Sequence, residues 1–454
     1  MRIRRLNQWS VTRLFQMNSP NDIDSPHSGG PKSWLERPIT QWQCVIGWLI
    51  ATAVFVGLCT LLGGPTQADA EVSIYSTWAI AHGHLSCAYP PSSSFNLPLT
   101  APLYPLLSGG LSALFRIGHS VPFPNHTQLG AHCQTAFNAI SQWSTRSNAI
   151  ASTLRIGYLG WLALMGGVVS LLRTCGRGRC VWEPTVLLFT AVAPPVFMCI
   201  QGFFHPQDLL AMGLALGGMA CARLNRWAWS GSLLGLAFIS QQFAILVLVP
   251  LAAMTLWSRR FRFITAALVS ASVIIAPLVV VTSGRAMKSA VIGSGQTQAD
   301  QGTVMWELHL HGPVEMAISR GVPIALAIFL AMWVLKRTVS TALEPAVLIS
   351  LVATALSFRL VFEENLWGYY CMATAVTVIV LEATAGRIRP YLCLWLALVM
   401  LAFDPLRWGH DPLWHAVPYW FWQALLVPSI VALASGPLLA LRRNGHPQIP
   451  AMIS

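Results

Sequence analysis

Twelve apolar stretches, punctuated by short basic clusters, leave this chain few folds to choose from. A hydrocarbon core of roughly 30 Å takes about 20 apolar residues as a helix, and inside it every backbone N–H and C=O needs a partner within the protein. On that ruler the sequence predicts spans near 43–63, 150–172, 183–203, 208–222, 227–240, 242–257, 263–282, 321–335, 344–361, 369–385, 390–404 and 420–441. The expected fold is all-α, a polytopic integral membrane protein with about 12 transmembrane helices. Composition agrees, because 55% of the 454 residues are hydrophobic and only 10% charged, too apolar a mixture for water to solvate.

A net charge of +12 would suggest nucleic acid in a soluble domain. Here the basic residues punctuate apolar runs, and no nucleic-acid-binding module is visible. Even crossings put both termini on one side, which then holds 20 of the 28 Lys and Arg residues, six in the N-terminal tail and fourteen in "RTCGRGR", "RLNR", "SRRFR", "KR", "RIR" and "RR". The positive-inside rule makes that side cytoplasmic and the protein multi-pass in the plasma membrane. Residues 1–41 and 442–454 read as cytoplasmic tails flanking a transmembrane domain at 42–441, the first of them polar enough to be disordered. The first apolar run is full length and reads as a retained signal anchor.

Between Arg226 and Arg259 lie only about 30 apolar residues, with positive charge at both ends. A single crossing would invert every later basic cluster, so the charges require a hairpin. Its arms of about 15 residues reach roughly 22 Å, short of the roughly 30 Å core. The tip at Ser240, Gln241 and Gln242 should then lie below the outer surface, where open backbone survives only in a protein-lined or wet cavity.

The first outer loop, 65–149, is too long for a connector. It opens with Asp69 and Glu71, continues with the helical "VSIYSTWAIAHG", and later carries the apolar "LTAPLYPLLSGGLSALFRIG", expected to lie along the interface as a juxtamembrane helix. Cys87 and Cys133 are the thiols assigned to the oxidising side. A bond between them would close a loop of about 45 residues and stabilise it by up to a few kcal/mol.

Glu71 followed four residues later by Tyr75, a small-residue helix, and a Pro-Leu-Tyr-Pro segment at Pro102 to Pro105, all in the first outer loop, resembles the GT-C superfamily of membrane glycosyltransferases. The order of features from "APPVFMCIQGFFHPQDLL" to the polar hairpin tip is similar to that family. "SFRLVFEENLWGYY" resembles the late Arg, acid and Tyr-Tyr segment of its polyprenyl-phosphate-mannose-dependent α-mannosyltransferases of bacterial envelope synthesis. The resemblance covers roughly the first 260 residues and the stretch near 358–370. Many relatives carry Lys at the hairpin tip where this chain has Gln241 or Gln242.

The resemblance implies transfer of a sugar, mannose in that branch, from a polyprenyl-phosphate donor to a glycolipid or glycan acceptor at the outer membrane face. A first-loop carboxylate, Glu71 or Asp69, would serve as general base, a role that contributes about 10²- to 10⁴-fold. Arg359, Arg320, His205, Gln241 and Gln242 are the candidates for holding the donor phosphate, with Tyr75, Tyr369 and Tyr370 around it. An Arg near the outer end of an apolar span calls for a partner, and Glu363 or Glu364 would also serve as one. No cofactor is expected, although "DAE" offers two acids to a divalent metal as in oligosaccharyltransferase-like relatives. A secondary transporter and a non-catalytic partner in envelope assembly are the competing classes. The transporter is weakened by the lack of an internal repeat and by the scarcity of ionisable residues deep in the spans.

A cysteine-labelling scan of intact cells should therefore reach the loops at 65–149, 283–320 and 405–419 from outside and neither terminus. Termini on opposite sides would overturn the hairpin at Gln241.

Overall fold

The computed structural model describes residues 34–61, 67–88, 101–117, 148–282, 284, 304–310, 312–337, 344–364 and 367–386. Most of both tails, Cys133, the remainder of the first loop and the spans expected at 390–404 and 420–441 lie outside the described residues. Those described are helical and contain no strand, only an isolated bridge from Pro38 to Cys180. In order they form α1 (Gln41–Leu61), α2 (Gln67–Ala81), α3 (Leu103–Leu114), α4 (Asn148–Ile156), α5 (Tyr158–Thr174), α6 (Trp182–Val192) and α7 (Pro194–Phe197). The chain continues through α8 (Pro206–Arg223), α9 (Trp227–Ser240), α10 (Ile245–Met254) and α11 (Trp257–Thr282). It ends with α12 (Val304–Glu307), α13 (Pro313–Arg337), α14 (Pro345–Phe362) and α15 (Met372–Thr384).

Five helices, Gln41–Leu61, Ile150–Thr174, Trp257–Thr282, Val314–Lys336 and Pro345–Phe362, are long and apolar enough to cross a membrane. Trp42, Ile46 and Leu49 on α1, and Phe261, Leu268, Val273 and Val280 on α11, are exposed apolar side chains. Both features suit a helical membrane protein, where lipid covers such a surface. Shorter apolar helices, among them α3, α6 and α9, pack between the long ones.

Side-chain contacts fix the directions of the helices. On α1 and α5, Thr52 meets Trp161 and Met165 while Phe55 stacks on Trp161 and edges Tyr158, an antiparallel pair. Trp48 meets Glu183 and Cys59 reaches the carbonyl of Phe197, so α6 and α7 run parallel to α1. The crossing of α5 with α8 is parallel too, from Gly160 against Pro206 to Arg223 against Thr174. A short turn at Leu224 to Arg226 then sends α9 back beside α8, with Gly218 against Leu234.

The next pair settles the hairpin. Asn225 bonds Arg259, Gly231 faces the carbonyl of Phe263 and Gly235 faces that of Ala267, so α9 and α11 run parallel, starting at the same end. Two successive helices can be parallel only if the chain returns between them, and α10 makes that return. Gln241 breaks the pair with extended backbone, φ −159° and ψ 138°. A short 3₁₀ turn, Gln242–Ala244, leads into α10. The expected hairpin with its tip at Gln241 is present.

Small residues permit the closest approaches. A side chain at Gly167 would strike the Gly213 carbonyl, and one at Gly213 would strike the backbone of Ala163 and Leu164. Only glycine lets two backbones meet at this depth, the packing that lipid-embedded helices favour.

One end of the bundle carries Arg173, Arg177, Arg179, Arg223, Arg226, Arg259 and Arg260 and is held by a closed network. The buried Glu183 accepts from Arg173 Nε at 3.1 Å and Nη2 at 3.0 Å, from Trp48 Nε1 at 3.0 Å and from the Arg179 N–H at 2.9 Å. Arg177 reaches both Glu36 and the Thr384 carbonyl, which brings the start of α1 and the end of α15 to this same end.

Gly213→Val should abolish recovery of monodisperse protein from detergent extracts by size-exclusion chromatography. Gly166→Val, whose Cβ meets nothing within 4 Å, should extract like wild type.

Candidate functional site

The opposite end gathers polar side chains from five separate segments. It begins at the break after α6. Pro194 disfavours helical backbone in the residue before it, and Ala193 is extended at φ −66°, ψ 119°. After α7 the chain turns through Gly202 at φ 152° and Phe204 at φ 49°, a left-handed conformation unusual for a bulky residue. That turn delivers His205 to the N-terminus of α8.

His205 is half-buried, stacked on Tyr369 with centroids 4.4 Å apart and planes at 18°. Its Nδ1 lies 2.9 Å from Gln207 Nε2, which donates to it and leaves the ring proton on Nε2. Burial first, and the Arg359 guanidinium second, push the imidazole down to about 3, so it stays neutral at physiological pH. Tyr369 in turn meets Tyr370 edge-on at 4.6 Å and Phe203 at 4.7 Å.

Three residues on, Asp208 lies buried in the first turn of α8, where the helix dipole favours an acid. Gln241 Nε2 donates to it at 2.5 Å. Gln241 Oε1 accepts from the Gln242 N–H at 3.0 Å, replacing a backbone bond lost at the helix break. Ser240 donates to the Gln207 carbonyl at 2.9 Å, so the hairpin tip is tied twice to the start of α8. Gln242 Oε1 accepts from Arg320 of α13 at 3.1 Å.

Arg359 lies one turn from the end of α14, paired with Glu363 four residues on, and its guanidinium stands 4.9 Å from the Tyr370 ring centroid and 5.7 Å from that of Phe243. The charge lies mostly inside the protein, close to two aromatic rings. The adjacent Glu364 accepts from Ser319 at 2.6 Å. Burial raises the Glu364 carboxyl, Arg320 opposes the shift, and Glu363 and Glu315 add to it.

Of the residues expected to hold a phosphate, His205, Gln241, Gln242, Arg320, Arg359, Tyr369 and Tyr370 therefore converge. Tyr75 is fully buried on α2 in an apolar cluster with Trp78, Ile74, Cys87 and Phe204. Phe204 links that cluster to the site because the next residue is His205. Glu71, one turn before Tyr75, is half-buried. Only the backbone of Asp69 is described. The two carboxylate positions lie within α2 rather than in an open loop, and two positions apart on a helix is about 200° around its axis. That separation disfavours joint chelation of a metal by "DAE". No metal-ligand group of three or more His, Cys, Asp or Glu occurs among the described residues.

Cys87 is disulfide-bonded, while Cys44, Cys59, Cys175, Cys180, Cys199, Cys221 and Cys371 are free. The expected partner Cys133 is outside the described residues. The apolar "PLYP" stretch forms α3, packed on α2 through Thr77 and Ser108 at 2.7 Å, with Tyr104 buried against α8 and α9.

Asp208, Glu315 and Ser319 were absent from the sequence-based candidates. Asp208 follows the His-Pro turn by three residues and was legible there as an acid in a first helical turn. Glu315 had no such signal, because the apolar run begins at 321 and α13 starts two turns earlier. Comparison with known protein families, curated proteins and solved structures found no match.

Arg359→Ala would strand Glu363 in a buried site, a change that costs about 3–5 kcal/mol. The expected outcome is a clear drop in melting temperature in detergent, largely recovered in the double variant Arg359→Ala with Glu363→Gln.

Proposed function

We propose that the protein is a GT-C-type glycosyltransferase that moves a sugar, mannose by the resemblance, from a polyprenyl phosphate to a glycolipid or glycan hydroxyl at the outer face of the plasma membrane. The observation that carries this reading is the convergence of Arg359, Arg320, Gln241, Gln242, His205, Tyr369 and Tyr370 at the end of the bundle opposite the arginine-rich one. By the positive-inside rule that end faces outward. A crossing count of 12, with both termini cytoplasmic, belongs to the same proposal.

In this mechanism the acceptor oxygen attacks the anomeric carbon as the bond from that carbon to the phosphate oxygen breaks. The hydroxyl proton passes to the Glu71 or Asp69 carboxylate, and the phosphate leaves with the bond's electrons. Arg359 and Arg320 stabilise the charge that grows on the leaving group, a term worth most in a water-poor site. The neutral His205 and the two glutamines contribute hydrogen bonds without adding charge. Tyr75 acts at one remove, buttressing Phe204 and with it the turn that carries His205. The bond of Cys87, proposed to Cys133, would pin the first loop over the site.

One observation favours a second reading. Asp208, Glu315, Glu363 and Glu364 outnumber Arg320 and Arg359, and acids facing a bundle interior also mark cation-coupled transport.

Membranes holding the wild-type protein should transfer label from a radiolabelled polyprenyl-phosphate sugar, and Asp69→Asn with Glu71→Gln should abolish transfer at unchanged expression. Arg359→Lys keeps the charge without the planar fork and should retain only part of the donor use at limiting donor. Wild-type turnover in the double carboxamide variant would remove the general-base reading and advance the transporter.

A further inference from the structure

Glu315 is the least satisfied charged group described. It is 1% exposed, and neither carboxylate oxygen has a hydrogen-bond partner. A buried carboxylate without partners is costly enough that a folded protein keeps one only where something else completes it.

Its surroundings show what is missing. Glu315 and Ser319 are four residues apart on α13, hence on one helical face. The Ser319 hydroxyl donates to Glu364 Oε1 at 2.6 Å, so that face is turned toward Glu364. Glu315 acts electrostatically on Glu364, as does Glu363 from the adjoining position. Among the described residues the guanidiniums nearby have partners of their own. Arg320 Nη1 donates to Gln242 Oε1, and Arg359 is paired with Glu363. Among the described residues four acids stand here against two guanidiniums, and a phosphate donor would add negative charge.

We infer that Glu315, Glu364 and Ser319 form the protein half of a binding site for a hard divalent cation. Carboxylate and hydroxyl oxygens are the ligands such ions prefer, and Mg²⁺ is commonly held by one or two carboxylates with water and a substrate phosphate completing the shell. A two-carboxylate site of this kind is open by construction, in keeping with the absence of a three-residue metal cage among the described residues. The cation would neutralise the acidic surplus and offer its open positions to the donor phosphate. This last step rests on the glycosyltransferase reading; the cation site itself does not.

The test uses the full-length protein in detergent and Mn²⁺ as the probe, with free Mn²⁺ followed by electron paramagnetic resonance. Wild type should bind one Mn²⁺ saturably and release it to excess Mg²⁺. Glu315→Gln and Glu364→Gln should each weaken binding by roughly tenfold or more, while Glu36→Gln at the arginine-rich end should bind as wild type does. Failure of wild type to bind below about millimolar Mn²⁺ overturns the proposal without any variant having to fold. So does a folded Glu315→Gln or Glu364→Gln that binds like wild type. Added polyprenyl phosphate should tighten Mn²⁺ binding. If binding depends on Glu315 but ignores polyprenyl phosphate, the cation site stands and the donor reading falls.

Discussion

The side chain of Gln241 satisfies two needs where the backbone breaks inside the bundle. Its oxygen takes the Gln242 N–H that no helical carbonyl can reach, and its nitrogen reaches Asp208 at the start of α8. Lipid tolerates no open backbone, so without this amide the turn between α9 and α10 could not lie below the surface. The rest of the site depends on that turn. Gln242 takes its place from Gln241, Arg320 from Gln242, and Phe243 forms one wall of the Arg359 cage. A lysine at position 241 would supply charge but no acceptor for the Gln242 N–H.

The two ends of the molecule treat buried charge in opposite ways. Glu183 at the arginine-rich end receives four donors and is closed to any ligand. Glu315 at the other end receives none. Both are completely buried carboxylates, so burial alone does not separate a structural anchor from a site; the count of donors does. By that measure the arginine-rich end is a clamp joining α1, α5 and α6, and the cation site proposed at the other end rests on a carboxylate whose oxygens accept no hydrogen bond.

Much of this arrangement was legible in the sequence because it followed from arithmetic on length and charge. Thirty apolar residues between Arg226 and Arg259 demanded a return, and the parallel run of α9 and α11 contains it. Seven of the polar residues named at span ends come together at one end of the bundle. What failed to show in the sequence was what depends on neighbours distant in the chain. Tyr75 carried a phenol suited to a ligand, yet its ring packs with Phe204, 129 positions away. Asp208 falls at the first position of the span expected at 208–222, and nothing in "HPQDLL" reveals that Gln241 covers it. Glu315 lay outside the apolar run that marked its helix. Helix ends extend past hydrophobic segments whenever tertiary contacts replace lipid, and functional groups gather in those extensions.

The brevity of the α9 and α10 arms carries a further consequence for how the protein meets its membrane. Fourteen residues in α9 and ten in α10 extend about 21 Å and 15 Å, whereas α11 beside them has 26 residues. A bilayer sealed against α11 would therefore be thicker than the hairpin next to it. Lipid can thin locally at a cost of a fraction of a kcal/mol per Å of mismatch, or headgroups and water can enter over the Gln241 turn. The protein thus makes its own shallow point in the bilayer, and acyl-chain length becomes a variable that acts on the site from outside.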